Sequence, residues 1–173
     1  MNMDELVNLD DYLRTVPKDI SPIIMSVGDI GIILSDHMKN LPIYRHNVIG
    51  SDSYNIHGET QTSLDVYANM LFRNSLMTVA SVKAVVSEED DDITVVNTNA
   101  DYTVAYDPID GSSNIDLNIP IGSIFGVYNT DNEVVCSGYI LYGPSTTYIL
   151  AVNNEVTMYA LDNTNQWILT KSN

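Results

Sequence analysis

The chain predicts an α+β fold in which N-terminal helices pack on a mixed, largely antiparallel sheet, and three observations carry that prediction. Apolar residues recur at helical spacing in the first half, where Ile20, Ile23, Ile24, Val27, Ile30, Ile33, Leu34 and Met38 form one stripe. From residue 82 onward the pattern changes to short runs rich in Val, Ile, Tyr and Thr. Asn, Asp and Gly separate those runs, and Asn129-Thr130-Asp131-Asn132 and Asn153-Asn154 read as hairpin turns.

Taken in order, Asp19 is placed to cap the first helix and Pro42 to stop it. Residues 44–57 carry Gly50, Ser51, Asp52, Ser53 and Asn55 and read as a mobile loop. Leu64, Ala68, Leu71 and Phe72 then mark a second helix over residues 61–78. Strands are expected at 82–86, 93–96, 102–106, 123–128, 134–142, 146–152, 156–161 and 167–170, with Gly111-Ser112-Ser113 opening a short helix between the third and fourth.

Composition bounds the function. A 173-residue chain with 45% hydrophobic residues can bury one core, and residues 1–173 read as a single domain without repeat or linker. A net charge of −16 excludes nucleic acid and anionic membranes as partners; it reflects a solvated acidic surface more readily than a saline cytoplasm. The lone Cys136 sits in a strand pattern and reads as a small buried hydrophobe, which leaves no intrachain disulfide. The first residues lack a basic, apolar leader pattern and no window approaches a membrane span, so a cytoplasmic location is expected.

The chemistry concentrates where elements end. Asp107-Pro108-Ile109-Asp110-Gly111-Ser112-Ser113 follows the apolar run at 102–106, and its two carboxylates, with the Ile109 carbonyl between them, are hard oxygen donors for a cation. The N–H groups of Gly111, Ser112 and Ser113 at a helix start suit a phosphate. By itself this is also an ordinary Asp-Pro-Gly turn. Two further segments tip the balance: Glu88-Glu89-Asp90-Asp91-Asp92 closes another strand, and Glu59 and Asp65 flank the start of the second helix. Acids gathered at element ends point to a site for two or three cations. His37, His46 and His57 have no metal-ligand spacing and read as surface or supporting residues, Asp90 to Asp92 read as a strand-ending turn, and Trp167 reads as packing for the last strand.

Ser87-Glu88-Glu89, the run Asp107 to Asp116, and Gly122-Ser123-Ile124-Phe125-Gly126-Val127-Tyr128 together resemble the fructose-1,6-bisphosphatase family, within the metal-dependent, lithium-sensitive sugar phosphatases. Ser-Ser-Asn after Asp-Pro-Ile-Asp-Gly favours that branch over the inositol monophosphatases, and Ser137 to Gly143 and Gln166 to Thr170 extend the likeness. The resemblance implies a layered α/β/α sugar-phosphatase fold. It implies Mg²⁺ or Mn²⁺ held by Glu88, Glu89, Asp107, Asp110 and the Ile109 carbonyl, with Asp65 and Glu89 handling water activation. Gly111, Ser112 and Ser113 would hold the phosphate. Glu59 would sit on a mobile loop that closes over the metals, where the family usually has Asp. The implied reaction is hydrolysis of the 1-phosphate of fructose 1,6-bisphosphate, in gluconeogenic or Calvin-type carbon metabolism.

The resemblance stops at Asn173, so the second half of the family fold, with its further metal-ligand Glu and its sugar and 6-phosphate residues, is absent. A partner is therefore expected, either a complementing C-terminal half or further copies in a homo-oligomer, the more so because a truncated sheet would expose an edge near Asn173. The alternative is a non-catalytic truncated homologue acting as a metal-binding or assembly module. The family's AMP site lies in the half that is present, but Asp101 and Asn129 stand where cations contact the AMP phosphate, and the nucleotide-loop pattern around Lys18 is poorly kept. AMP inhibition is not expected.

Overall fold

The computed structural model describes residues 7–44, 53–54, 60–61 and 63–173. Three helices, α1 (Leu9–Leu13), α2 (Ser21–Tyr44) and α3 (Ser63–Leu76), precede most of the strands. The strands are β1 (Ser53–Tyr54), β2 (Thr60–Gln61), β3 (Val82–Ser87), β4 (Thr94–Val95), β5 (Tyr102–Asp110), β6 (Ile121–Tyr128), β7 (Val134–Tyr142), β8 (Thr146–Val152), β9 (Glu155–Leu161) and β10 (Trp167–Ser172), with a 3-10 helix at Ser112–Leu117. Eight strands form one sheet in the order β10-β9-β8-β7-β6-β5-β3-β4, and β1 pairs with β2 separately. The α+β class and the largely antiparallel sheet are as the sequence pattern predicts. β3 and β5 run parallel, whereas the other neighbours in the large sheet run antiparallel.

The helices cover one face of the sheet. Alternation along β6 to β9 aims Phe125, Val127, Ile140, Tyr148, Leu150 and Tyr159 at them, all at most 3% exposed. α2 comes very close: a Cβ on Gly31 would run into the end of the Ile140 side chain and lie 3.1 Å from the Trp167 ring, so any larger residue there requires both to shift. Tyr148 donates its hydroxyl to Ile24 O, and the Trp167 indole N–H donates to Gly28 O at 3.1 Å. Cys136 is buried, as expected of a small hydrophobe.

Of the expected α/β/α layering, the described residues supply this helical layer and the sheet. The opposite face carries the row Ile124, Tyr139, Ile149, Met158 across four strands. Ile124, Tyr139, Leu141 and Val156 on it are 40–44% exposed. Its positions at 122–126, 137–141, 147–151 and 156–160 hold no charged side chain, in a chain with 23 Asp and Glu. At the β10 edge, Asn8 bridges Ile168 and the Leu169 N–H donates to Val7 O, so the edge expected to be open near the C-terminus is partly covered by the chain's own residues 7 and 8.

Several local expectations are corrected. α2 starts after Asp19: its first intrahelical bond runs from Ile24 N–H to Ile20 O, while the Asp19 carbonyl accepts from Ser81 Oγ. Pro42 does not stop α2, which continues to Tyr44; proline removes a single backbone donor, and a helix whose preceding turns are already anchored tolerates that near its end. Residue 44 of the predicted loop is the end of α2, residues 53–54 pair with 60–61 as a short ladder, and the other residues of that loop lie outside the described ones. α1 is an addition, capped by the Asn8 side chain accepting from the Asp11 N–H. Among the described residues no helix is long and apolar enough to cross a membrane.

Candidate active site

Parallel pairing of β3 and β5 decides where the acids meet. Ser87 is in register with Tyr106, so both strands end on the same side of the sheet, with Glu88 and Glu89 beside Asp107. The Glu88 N–H donates to Tyr106 O at 3.0 Å and extends the ladder past the strand end. In an antiparallel pair the two acid-bearing ends would lie at opposite edges.

β5 continues through Asp110 rather than ending at Tyr106 as the apolar run suggests. Asp107 faces Ile124 and Asp110 faces Gly122, so Pro108 and Ile109 together oppose only Ser123. That is a β-bulge, a device that absorbs proline's missing N–H and re-aims side chains at the strand end. It is pinned from within. Ser123 Oγ, 1% exposed, donates to Pro108 O at 2.7 Å, and its single proton being used, it accepts from the Tyr142 hydroxyl at 2.9 Å. The Ile109 N–H donates to Asp107 Oδ1 at 3.0 Å.

The Asp107 carboxyl is pushed up to about 8, first by burial, then by the Glu88 carboxylate within hydrogen-bonding reach and by the charge of Asp110, against the opposing Ile109 N–H. Glu88 and Asp110 are exposed and Glu89 is half-buried. Among the described residues no three His, Cys, Asp or Glu side chains already converge on one point, so these acids stand as interacting neighbours rather than as a finished cage. The donors still fit a divalent cation: all are oxygens, and like charges crowd a half-buried carboxyl in a way that a hard cation relieves.

Past Asp110 the backbone turns sharply at Gly111, with φ +83° and ψ 27°, and a Cβ there would also lie 3.3 Å from Asn114 Nδ2. Ser112 is half-buried and Ser113 exposed at the start of the 3-10 helix. The expected helix is thus only six residues long, its first bond from Asn114 N–H to Gly111 O at 2.8 Å. So short an element has little macrodipole, which leaves any phosphate to individual amides and hydroxyls. A cavity of about 330 Å³ opens beside this turn, running from Asp110, Gly111 and Asn114 to the uncovered sheet face at Ile124, Tyr139 and Leu141.

Asp65 lies in the first turn of α3 and is 1% exposed. It is one turn before Asn69, whose side chain touches the ends of β3 and β5. Glu59 lies outside the described residues. His37 stacks on Tyr67 with ring centres 4.9 Å apart, a packing role consistent with its lack of ligand spacing.

Sequence reasoning passed over the polar cluster beneath the site. Asn69, Ser87, Tyr106, Asp90 and Arg73 form one hydrogen-bonded network, and Asp90, read from sequence as a turn residue, is paired with Arg73 inside it. No periodicity or motif marks these partners.

Residues 18–172 match the family model for the fructose-1,6-bisphosphatase N-terminal domain. The chain is 42% identical to the class 1 fructose-1,6-bisphosphatase of Cellvibrio japonicus, over 72% of this chain and 44% of that protein. It is 34% identical to the class 1 enzyme of Methanocorpusculum labreanum, over 99% of this chain and 54% of that one. The holo-form crystal structure of Leishmania major fructose-1,6-bisphosphatase superposes with a TM-score of 0.86 at 27% identity, covering 95% of this chain and 58% of that one. The chain spans about half the length of the relatives it matches. Over that span, fold, motifs and similarity agree, and the chain belongs to the fructose-1,6-bisphosphatase family, whose N-terminal domain it carries.

Proposed function

We propose that this chain, a single domain over residues 1–173, is the cation- and phosphate-holding part of a metal-dependent sugar phosphatase that removes the 1-phosphate of fructose 1,6-bisphosphate. The observation that supports this most is the parallel β3 and β5 pair, which sets Glu88 beside Asp107 and the bulge carrying Asp110. Glu88, Glu89, Asp107, Asp110 and the Ile109 carbonyl would hold Mg²⁺ or Mn²⁺. Such an ion supplies charge neutralisation for the phosphate and acidifies water. Asp65 and Glu89 take up the proton of the attacking water, which a low-exposure carboxylate such as Asp65 suits. Gly111, Ser112 and Ser113 hold the phosphate oxygens as their charge redistributes.

The site opens onto the apolar sheet face, and that face is where we place a complementing C-terminal half, the source of the sugar and 6-phosphate contacts. Remote-phosphate binding positions the reacting phosphate, so the half-chain alone is expected to be slow as well as weakly binding. AMP is not an inhibitor in this reading: Asp101 is exposed, and the Asn129 side chain accepts from the Asp131 and Glu133 N–H groups of its own turn.

The test is Mg²⁺-dependent phosphate release from fructose 1,6-bisphosphate by the purified chain, with and without a relative's C-terminal half. Release that rises on adding the second half, disappears in Asp110→Asn and ignores AMP is the expected result. Release equal in parent and Asp110→Asn overturns the phosphatase reading and favours a metal-binding or assembly module.

A further inference from the structure

We propose that Asn69 is the positioning residue that holds the acid-bearing ends of α3, β3 and β5 in one arrangement. The inference rests on the phosphatase reading for what is being positioned, but its geometry is independent of it. Asn69 is 8% exposed on the sheet-facing side of α3. Its Oδ1 accepts from the Ser87 hydroxyl at 2.8 Å and from the Tyr106 hydroxyl at 3.1 Å, and its Nδ2 donates to Asp90 Oδ1 at 3.0 Å. One neutral amide thus ties a helix to the ends of two strands.

Each bond leads to a candidate site residue. Ser87 Oγ spends its proton on Asn69 and uses a lone pair to accept the Glu89 N–H at 3.2 Å, so the amide fixes the backbone that carries Glu88 and Glu89. Tyr106 directly precedes Asp107, and its ring stacks at 4.9 Å on Phe72, one turn along α3 from Asn69. Asp65 stands one turn the other way on the same helix. Asp90 is held on its far side by Arg73, which closes the network.

The residue type is specific to this job. The two hydroxyls need an acceptor and the Asp90 carboxylate needs a donor, and an amide offers both in the space of one side chain. Aspartate there would face Asp90 with a second carboxylate, and leucine would leave the buried Ser87 and Tyr106 hydroxyls without their shared acceptor and Asp90 Oδ1 without its donor. Supporting hydrogen bonds of this kind set ligand orientation, and their loss weakens cation binding roughly 10- to 100-fold.

The experiment compares the 173-residue chain with Asn69→Leu, using hydrogen exchange of the Glu89 amide and calorimetric titration with Mn²⁺. Asn69→Leu is expected to speed Glu89 exchange at least about tenfold relative to the amides of β7 and β8, and to raise the Mn²⁺ dissociation constant about tenfold or more. Val27→Ala, a stability control in α2 away from the network, is expected to lower the melting temperature and move neither readout. Parent-like Glu89 exchange in Asn69→Leu overturns the proposal and leaves Asn69 as packing. Should that variant not fold, Asn69→Ala decides: it removes the amide but leaves Ser87 Oγ in place to accept the Glu89 N–H, faster Glu89 exchange is expected, and unchanged exchange overturns the proposal equally. A parent that binds no Mn²⁺ sinks the cation reading, while the amide exchange still judges the positioning.

Discussion

Asp107→Asn is expected to make the metal-free chain more stable and its cation site much weaker. Burial, Glu88 and Asp110 hold the Asp107 carboxyl near 8, well above its ordinary value of 3.8. The folded state therefore retains a proton that the unfolded chain releases at lower pH. Between those two values this group's contribution to the stability of the metal-free chain falls as pH rises, and that contribution is fully present only below the unfolded carboxylate value. At pH 7 the neutral asparagine removes that penalty, worth about 1 kcal/mol after discounting for the partial exposure of the group. The melting temperature should rise by about 2–4 °C. Losing an anionic ligand should in turn weaken Mn²⁺ binding by on the order of 100-fold or more, since removing only a supporting partner already costs up to that much. Thermal melts with and without Mn²⁺ check both halves: the ion should raise the melting point of the parent and hardly move that of Asp107→Asn. A variant less stable than the parent without metal, yet equally stabilised by Mn²⁺, would place the cation elsewhere.

The other large effect is structural. Trp167→Ala removes a side chain that is 4% exposed, sets its ring edge-on to Tyr148 at 5.4 Å and bonds Gly28 O through its indole N–H. The ring fills the gap that Gly28 and Gly31 leave in α2, where a Cβ on either would lie 3.2 or 3.1 Å from it. Truncation leaves a void between helix and sheet that neither glycine can fill. A loss of about 3–5 kcal/mol follows, a fall in melting temperature on the order of 10 °C. Urea titration followed by circular dichroism measures it. A loss under about 1 kcal/mol would mean that β10 is not anchored through this ring.

Much of the fold is legible because its strands carry plain signals. Residues 134–142 and 146–152 fall on β7 and β8 as predicted, where β-branched and aromatic runs end at turn residues. What escaped was set by neighbours distant in sequence. α1 is only five residues long, and its one signal was Asn8 ahead of Asp10 and Asp11, a cap with acids in the first turn. β5 was cut short at Tyr106 because Asp-Pro reads locally as a turn, whereas Ser123 and Tyr142 hold the bulge from 15 residues and more away. The motifs drew attention to Glu88, Glu89, Asp107 and Asp110 as candidates, but not to the network beside them. Asn69 in mid-helix has no distinguishing pattern, and it gains meaning only when the parallel register delivers Ser87 and Tyr106 to it.

The most direct measurement is an anomalous difference map from crystals of the 173-residue chain soaked in Mn²⁺. Peaks are expected at the end of the β3 and β5 pair, within coordination distance of the Asp107 and Asp110 carboxylates and shared with Glu88. No peak there, or density only at scattered surface acids, would contradict a cation site built by the parallel register of those two strands.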